Sequence, residues 1–274
     1  PFEGELLIHN PYFPELLEGL SAAAARAGYG FLLIPRTLEG PDFDQDDLLD
    51  RLDGAIIVDP ATDDPHVLAL VERGLPLVTT GRYLGDESIP WVDNDHQQGI
   101  SQLFNHLDRG GYHRPALIST ALKVSYISDI ESAFLRESGV REHSPLIVRS
   151  EDLSEQQAYM LALQLLQRPD PPDAIVACTD HQAISVLRAA WELGVRVPAD
   201  LAVVGEGDTV LARNAIPPLT SIRVQPRRLG ELAVEMLLDI LAGKEDTANR
   251  VIPAELIPRE SSTRQERQPG RVGA

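Results

Sequence analysis

Apolar residues along the chain fall into short unbroken runs separated by longer stretches of helical period. The runs are ELLI, GFLLI, GAIIV, LPLVTT, PWV, PALIS, PLIV, DAIVAC, LAVVG and TSIRV. Most carry no polar alternation, as expected of strands covered on both faces. Between them, Asn10 and Pro11 supply an N-cap and a first-turn proline for a helix from Tyr12 to near Gly28. Asp95 precedes Ile100, Leu103, Phe104 and Leu107, spaced i, i+3, i+4, i+7, with a stop at Gly110-Gly111. Asp180 is expected to cap a helix carrying Ala183, Ile184, Leu187 and Trp191, stopped by Gly194. After Pro226 come Leu229, Ala233, Met236, Leu237 and Ile240, stopped by Gly243. This alternation predicts an α/β fold of doubly wound parallel sheets. A length of 274 residues suggests two such lobes, dividing near Ser119-Thr120. The polar end, 264–274, reads as a flexible tail.

Charge narrows the partners. Twenty-four basic against 42 acidic residues leave a net charge of −18. Such a surface repels phosphate backbones and anionic lipid, so these residues by themselves should bind neither DNA nor membrane. No run is long enough to span a bilayer, and the start lacks a basic-then-apolar signal, which points to the cytoplasm. The single cysteine, Cys178, lies in the apolar run AIVAC and reads as a buried structural thiol.

One strand ends abruptly in a Gly-acid-Gly-acid turn, LAVVGEGD, with Glu206 and Asp208 held between glycines. Such a turn can hold a phosphate, position a catalytic acid, grip a hydroxylated ligand, or only turn the chain. It lacks the third glycine and helix start of a dinucleotide fingerprint. No Gly-x-Ser-x-Gly, His-Glu-x-x-His or Cys-x-x-Cys occurs, so neither an enzyme nor a cofactor or metal is expected. The run from Asp42 to Asp53 places acids at positions 1, 3, 5 and 12 of a calcium loop. Asp47 stands at the sixth position, which needs glycine, so an acidic, helix-starting loop is favoured. Ligands of doubly wound sheets bind beyond the strands' carboxyl ends, which makes Thr179-Asp180 and Glu206-Asp208 candidate contacts.

From about residue 4 to 263 the chain resembles the effector-binding core of lactose-repressor/galactose-repressor (LacI/GalR) family transcription regulators. NPYFPELLEGLSAAAARAGYGFLLI, LDGAIIV, GLPLVTTGR and VDNDHQQGISQLFNHLDRGGYHRPALIS follow in the family's order. So do PDAIVACTDHQAISVLRAAWELGVRVPADLAVVGEGD, IPPLTSIRVQPRRLGELAVEMLLDILAG and LIPRESS. The resemblance implies a periplasmic-binding-protein-like pair of lobes joined by three crossovers. Residues 1–119 plus 223–250 would form the first lobe, and 120–222 plus 251–263 the second. It further implies a homodimer that senses a small-molecule effector between its lobes. Operator DNA would be bound, most often as a repressor, through a helix-turn-helix headpiece absent from this piece. The alternative is an extracytoplasmic solute-binding protein of a transporter, which shares the fold.

By the same resemblance, Tyr12 and Phe13 match aromatic positions flanking the effector, and Asp95 matches a ligand-contacting acid at a helix start. Helix-start packing and a plain N-cap are the competing readings. Tyr126 falls in a loop of polar contacts, and Leu153 where relatives often carry a stacking aromatic. Two departures stand out. Ile130 occupies the position of the family's effector-clamping arginine, and Gly207 that of its ligand-binding aspartate. An arginine fork and a carboxylate together hold vicinal hydroxyls. Their loss, in a cleft lined by Asp95, Asp180, Glu206 and Asp208, leads to the expectation of a small polar or cationic effector, or an unusual sugar.

Overall fold

The computed structural model describes residues 10–34, 49–244 and 248–264. Among these residues, strands β1 (Ala55–Val58), β2 (Leu77–Thr80), β3 (Trp91–Asn94) and β9 (Arg250–Ile252) form one sheet in the order β1-β2-β3-β9. All its pairs are parallel, with Ile57 opposite Thr79 and Asp93 opposite Val251. The second sheet has the order β10-β8-β7-β6-β4-β5. It comprises β4 (Pro115–Thr120), β5 (Leu146–Ser150), β6 (Ala174–Ala177), β7 (Ala202–Gly207), β8 (Thr220–Arg223) and β10 (Glu255–Ile257). Strands β4 to β7 are parallel. The chain passes between sheets three times: from β3 to β4, from β8 to β9, and from β9 to β10.

In the first sheet, adjacent residues of β2 point to opposite faces, and both faces are covered. Val78 packs with Val92 and Ile252 under two helices, α1 (Tyr12–Arg26) and α8 (Pro226–Leu241). Leu77 packs with Ile57, Tyr83 and Ile89, and with Val67 and Leu70 of α2 (Pro65–Glu72). This double cover is why the strand sequences show no polar alternation. Helix α1 starts as its sequence suggests, with Asn10 Oδ1 accepting the Tyr12 N–H at 3.0 Å. It buries Leu16, Leu20, Ala23 and Ala24 against Leu229, Ala233 and Met236 of α8. The two helices meet backbone to backbone. A Cβ on Gly19 would lie 2.0 Å from the Arg227 carbonyl oxygen, and one on Gly230 2.6 Å from that of Leu16.

In the second sheet, Ala116, Ile118, Ile175, Ala177 and Val203 face a core completed by α5 (Glu155–Leu166) and α6 (Asp180–Glu192). The neighbouring residues that point to the other face, Leu117, Val176 and Val204, are buried as well. Phe104 of α3 (His96–Arg109) meets Phe134 of α4 (Ser125–Val140) edge to face at 5.2 Å.

Compactness divides the chain into a unit ending at Gly99 that also takes Ala121–Ala133 and Arg223–Glu255, and a second of Ile100–Thr120, Phe134–Ile222 and the residues from Leu256. The sequence reading placed everything up to residue 119 in the first lobe. The body of α3 and strand β4 instead belong to the second, because β4 is hydrogen-bonded between β5 and β6. Residues 251 and 252 remain in the first sheet, paired with β3. The expected strand GFLLI is not formed: Phe31 to Ile34 carry no strand and are 38–52% exposed. The run ELLI, most of the acidic run from Asp42, and the tail beyond Arg264 lie outside the described residues.

Candidate functional site

In the second unit, β6 delivers Thr179, whose Oγ1 accepts the Gln182 N–H at 3.2 Å and caps α6. The cap is therefore Thr179 rather than Asp180. The Asp180 carboxylate is buried, 1% exposed, and its oxygens are filled from within the fold. Oδ2 accepts the N–H and the hydroxyl of Thr209, both at 2.8 Å, and Oδ1 accepts the Ser221 hydroxyl at 2.6 Å. Burial pushes its pKa up to about 6 from the usual 3.8; the hydrogen bonds from Ser221 and Thr209 oppose this, and the neighbouring Asp208 adds to it.

Strand β7 ends beside this carboxylate. A Cβ on Gly205 would lie 2.5 Å from Asp180 Oδ1, and one on Gly207, at φ +130°, 3.1 Å from Oδ2. The glycines of the Gly-acid-Gly-acid turn are there to make room for a buried acid. Asp208, with φ +49°, donates its N–H to Ser221 Oγ at 2.9 Å and accepts from Arg259 Nη2. Arg259 Nη1 also donates to the Leu219 carbonyl at 2.7 Å, tying the last described segment to the turn. Of the four residues expected in this region, Asp180 and Asp208 are bonded within the fold as an internal clasp, and Thr179 caps the helix that Asp180 opens. Glu206 is buried at 8% exposure.

In the first unit, a second polar group gathers at the carboxyl ends of β2 and β3. The Arg82 N–H donates to Ser125 Oγ at 2.9 Å, and Ser125 Oγ donates to Asp93 Oδ2 at 3.3 Å. Asp93 Oδ1 accepts the Asn94 N–H at 2.8 Å and lies 3.3 Å from His96 Nε2. The Arg82 guanidinium donates from Nη2 to Asp129 Oδ1 at 2.5 Å and sits 5.9 Å from the Trp91 ring centre. The Tyr126 ring lies 5.9 Å from His96.

Tyr12 is half-buried against the α1–α8 core and meets Phe13 edge to face at 5.4 Å; Phe13 is buried. Asp95 accepts the Gln98 N–H at 2.8 Å, the geometry of an N-cap for α3. Ile130 is 1% exposed, and Leu153 is buried ahead of α5. Sequence reasoning did not single out Arg82, Ser125, Asp129, Thr209, Ser221 or Arg259. Arg82 alone left a local sign, an arginine one residue beyond the glycine that ends a buried strand.

Comparison with known proteins fixes the family. The profile described as "Periplasmic binding protein-like domain" matches residues 104–262, more than half of the chain. The HTH-type transcriptional regulator CelR of Thermobifida fusca is 28% identical over 273 residues, covering 93% of this chain and 77% of CelR. The HTH-type transcriptional repressor PurR of Proteus mirabilis is 29% identical, covering 92% and 76%. A solved complex of the transcriptional regulator CelR with cellobiose superposes with a TM-score of 0.88 at 27% identity, covering 95% of this chain and 82% of that one. These relatives favour a regulator over a transporter's solute-binding protein, and a regulator rather than an enzyme. The chain belongs to the periplasmic binding protein-like domain family, and within it is the effector-binding core of a LacI/GalR-family transcription regulator.

Proposed function

We propose that this core senses a neutral saccharide and, as a cytoplasmic homodimer, sets the operator affinity of a DNA-binding headpiece. The single observation that carries the choice of ligand is the fate of the acids. Asp180 and Asp208 are satisfied by Thr209, Ser221 and Arg259, so two of the four carboxylates that suggested a cationic effector are withdrawn from ligand binding. What stays partly exposed is of the kind carbohydrate recognition uses: the half-buried ring of Tyr12 at the start of α1, and the Arg82–Asp129 pair beyond β2. The cellobiose bound by the CelR relative is in keeping with this reading. A ligand that prefers one arrangement of the protein over another shifts their populations by its difference in affinity. Among the described residues no helix is long and apolar enough to cross a membrane.

The test is a thermal-shift screen against cellobiose, lactose, maltose, glucose, galactose, adenosine and putrescine. A saccharide at about 100 times its Kd should raise the midpoint by on the order of 5 °C. A shift with putrescine and with no saccharide would refute the reading. Sedimentation at micromolar concentration should show a dimer; a monomer would remove the homodimer from it.

A further inference from the structure

The sequence places Ile130 where the family's effector-clamping arginine stands, and the structure buries that side chain at 1% exposure. One residue earlier on α4, Asp129 holds a guanidinium that comes from elsewhere in the chain: Arg82, in the loop after β2. We propose that Arg82, docked on Asp129, is the fork that anchors a vicinal diol of the effector in place of the missing arginine. The inference rests on the reading of the chain as a saccharide sensor and assigns the anchoring contact of that site.

Four features support it. Arg82 lies beyond the carboxyl end of a parallel strand, where ligands of such sheets bind. Its side chain is 35% exposed while that of Asp129 is 15% exposed, so the pair is held by the fold yet reachable. A guanidinium carries five N–H donors, and Asp129 takes one from Nη2, which leaves a planar edge for two adjacent hydroxyls. The loop is fixed by the Arg82 N–H on Ser125 Oγ, and Ser125 in turn by Asp93, so the fork is oriented before any ligand arrives.

Two further observations bear on the ligand's charge and on unfilled polar capacity. Asp93 and Asp129 lie within this group and Asp95 beside it at the start of α3, against a single arginine, which disfavours an anionic ligand. At the last position of β2, the hydroxyl of the fully buried Thr80 has no hydrogen-bond partner among the described residues. A buried polar atom left so calls for a water or a ligand group.

The experiment is calorimetric titration of the whole chain, as wild type, Arg82→Gln and Arg82→Lys, with cellobiose, lactose, maltose, glucose, galactose and glucuronate. Urea unfolding of each protein without ligand runs alongside. A neutral saccharide should bind the wild type and bind both variants about 10- to 100-fold more weakly, with unfolding midpoints little changed. Glucuronate should bind no better than the neutral sugars. Lysine keeps the charge and the contact to Asp129 but not the fork. A saccharide bound as tightly by Arg82→Lys as by the wild type overturns the fork, even if Arg82→Gln is unstable. Unchanged binding by Arg82→Gln overturns the inference and leaves the saccharide reading standing. A wild type that binds none of the sugars overturns both.

Discussion

Replacing Asp180 by asparagine tests the clasp most directly. The side chain keeps its size, but it no longer titrates. In the wild type the folded-state pKa is about 6 against 3.8 ordinarily, a difference of about 2 units, because burial penalises the ionised form more than Ser221 and Thr209 favour it. Each unit is worth about 1.4 kcal/mol, so the linkage amounts to about 3 kcal/mol. The sign follows from the raised value. Between pH 4 and 6 the folded state binds the proton more tightly than the unfolded chain. The contribution is therefore fully present below about pH 4 and is lost as pH rises through 6. Urea unfolding of wild type and Asp180→Asn across pH 4 to 7.5 isolates this term, since the other titrating groups are common to both. The stability of wild type relative to variant should fall by about 2.5 kcal/mol over that range. Parallel pH profiles would refute the reasoning, and so would a carbon-13 titration that puts the Asp180 carboxyl near 4.

Three other substitutions test packing, two at the clasp and one between α1 and α8. Arg259→Ala leaves the carboxylate of Asp208, whose side chain is 3% exposed, without its cation, and should cost about 3–5 kcal/mol in urea unfolding. Gly207→Asp, which puts a carboxylate where the resemblance implies one, should lower the urea-unfolding midpoint rather than create a ligand contact. The new Cβ would sit 3.1 Å from Asp180 Oδ2 at φ +130°, and a second charge would face a buried carboxylate. Gly230→Ala forces α1 and α8 apart, because the added methyl would lie 2.6 Å from the Leu16 carbonyl oxygen; a loss of about 1–3 kcal/mol is expected by thermal unfolding. A midpoint unchanged by this methyl would mean that the two helices do not cross at their glycines.

The sequence by itself determined the layered α/β fold, most strand and helix positions and the family. Those properties rest on local periodicity, on caps such as Asn10, and on the order of motifs, all of which are written in neighbouring residues. It did not determine what the candidate residues touch. Asp180 is bonded to Thr209 and Ser221, 29 and 41 residues away, and Asp208 to Arg259, 51 residues away. Arg82 meets Asp129 across 47 residues. Such partners are brought together by strand order and crossovers, which a period of 2 or 3.6 does not encode. The same limit explains the misplaced divide: β4 reads as one more apolar run, and only its pairing with β5 and β6 assigns it to the second sheet. An acid after a strand reads alike whether it faces a ligand or the core. Only the tertiary structure, by placing hydroxyls, N–H groups and a guanidinium around them, showed that Asp180 and Asp208 are bonded within the fold.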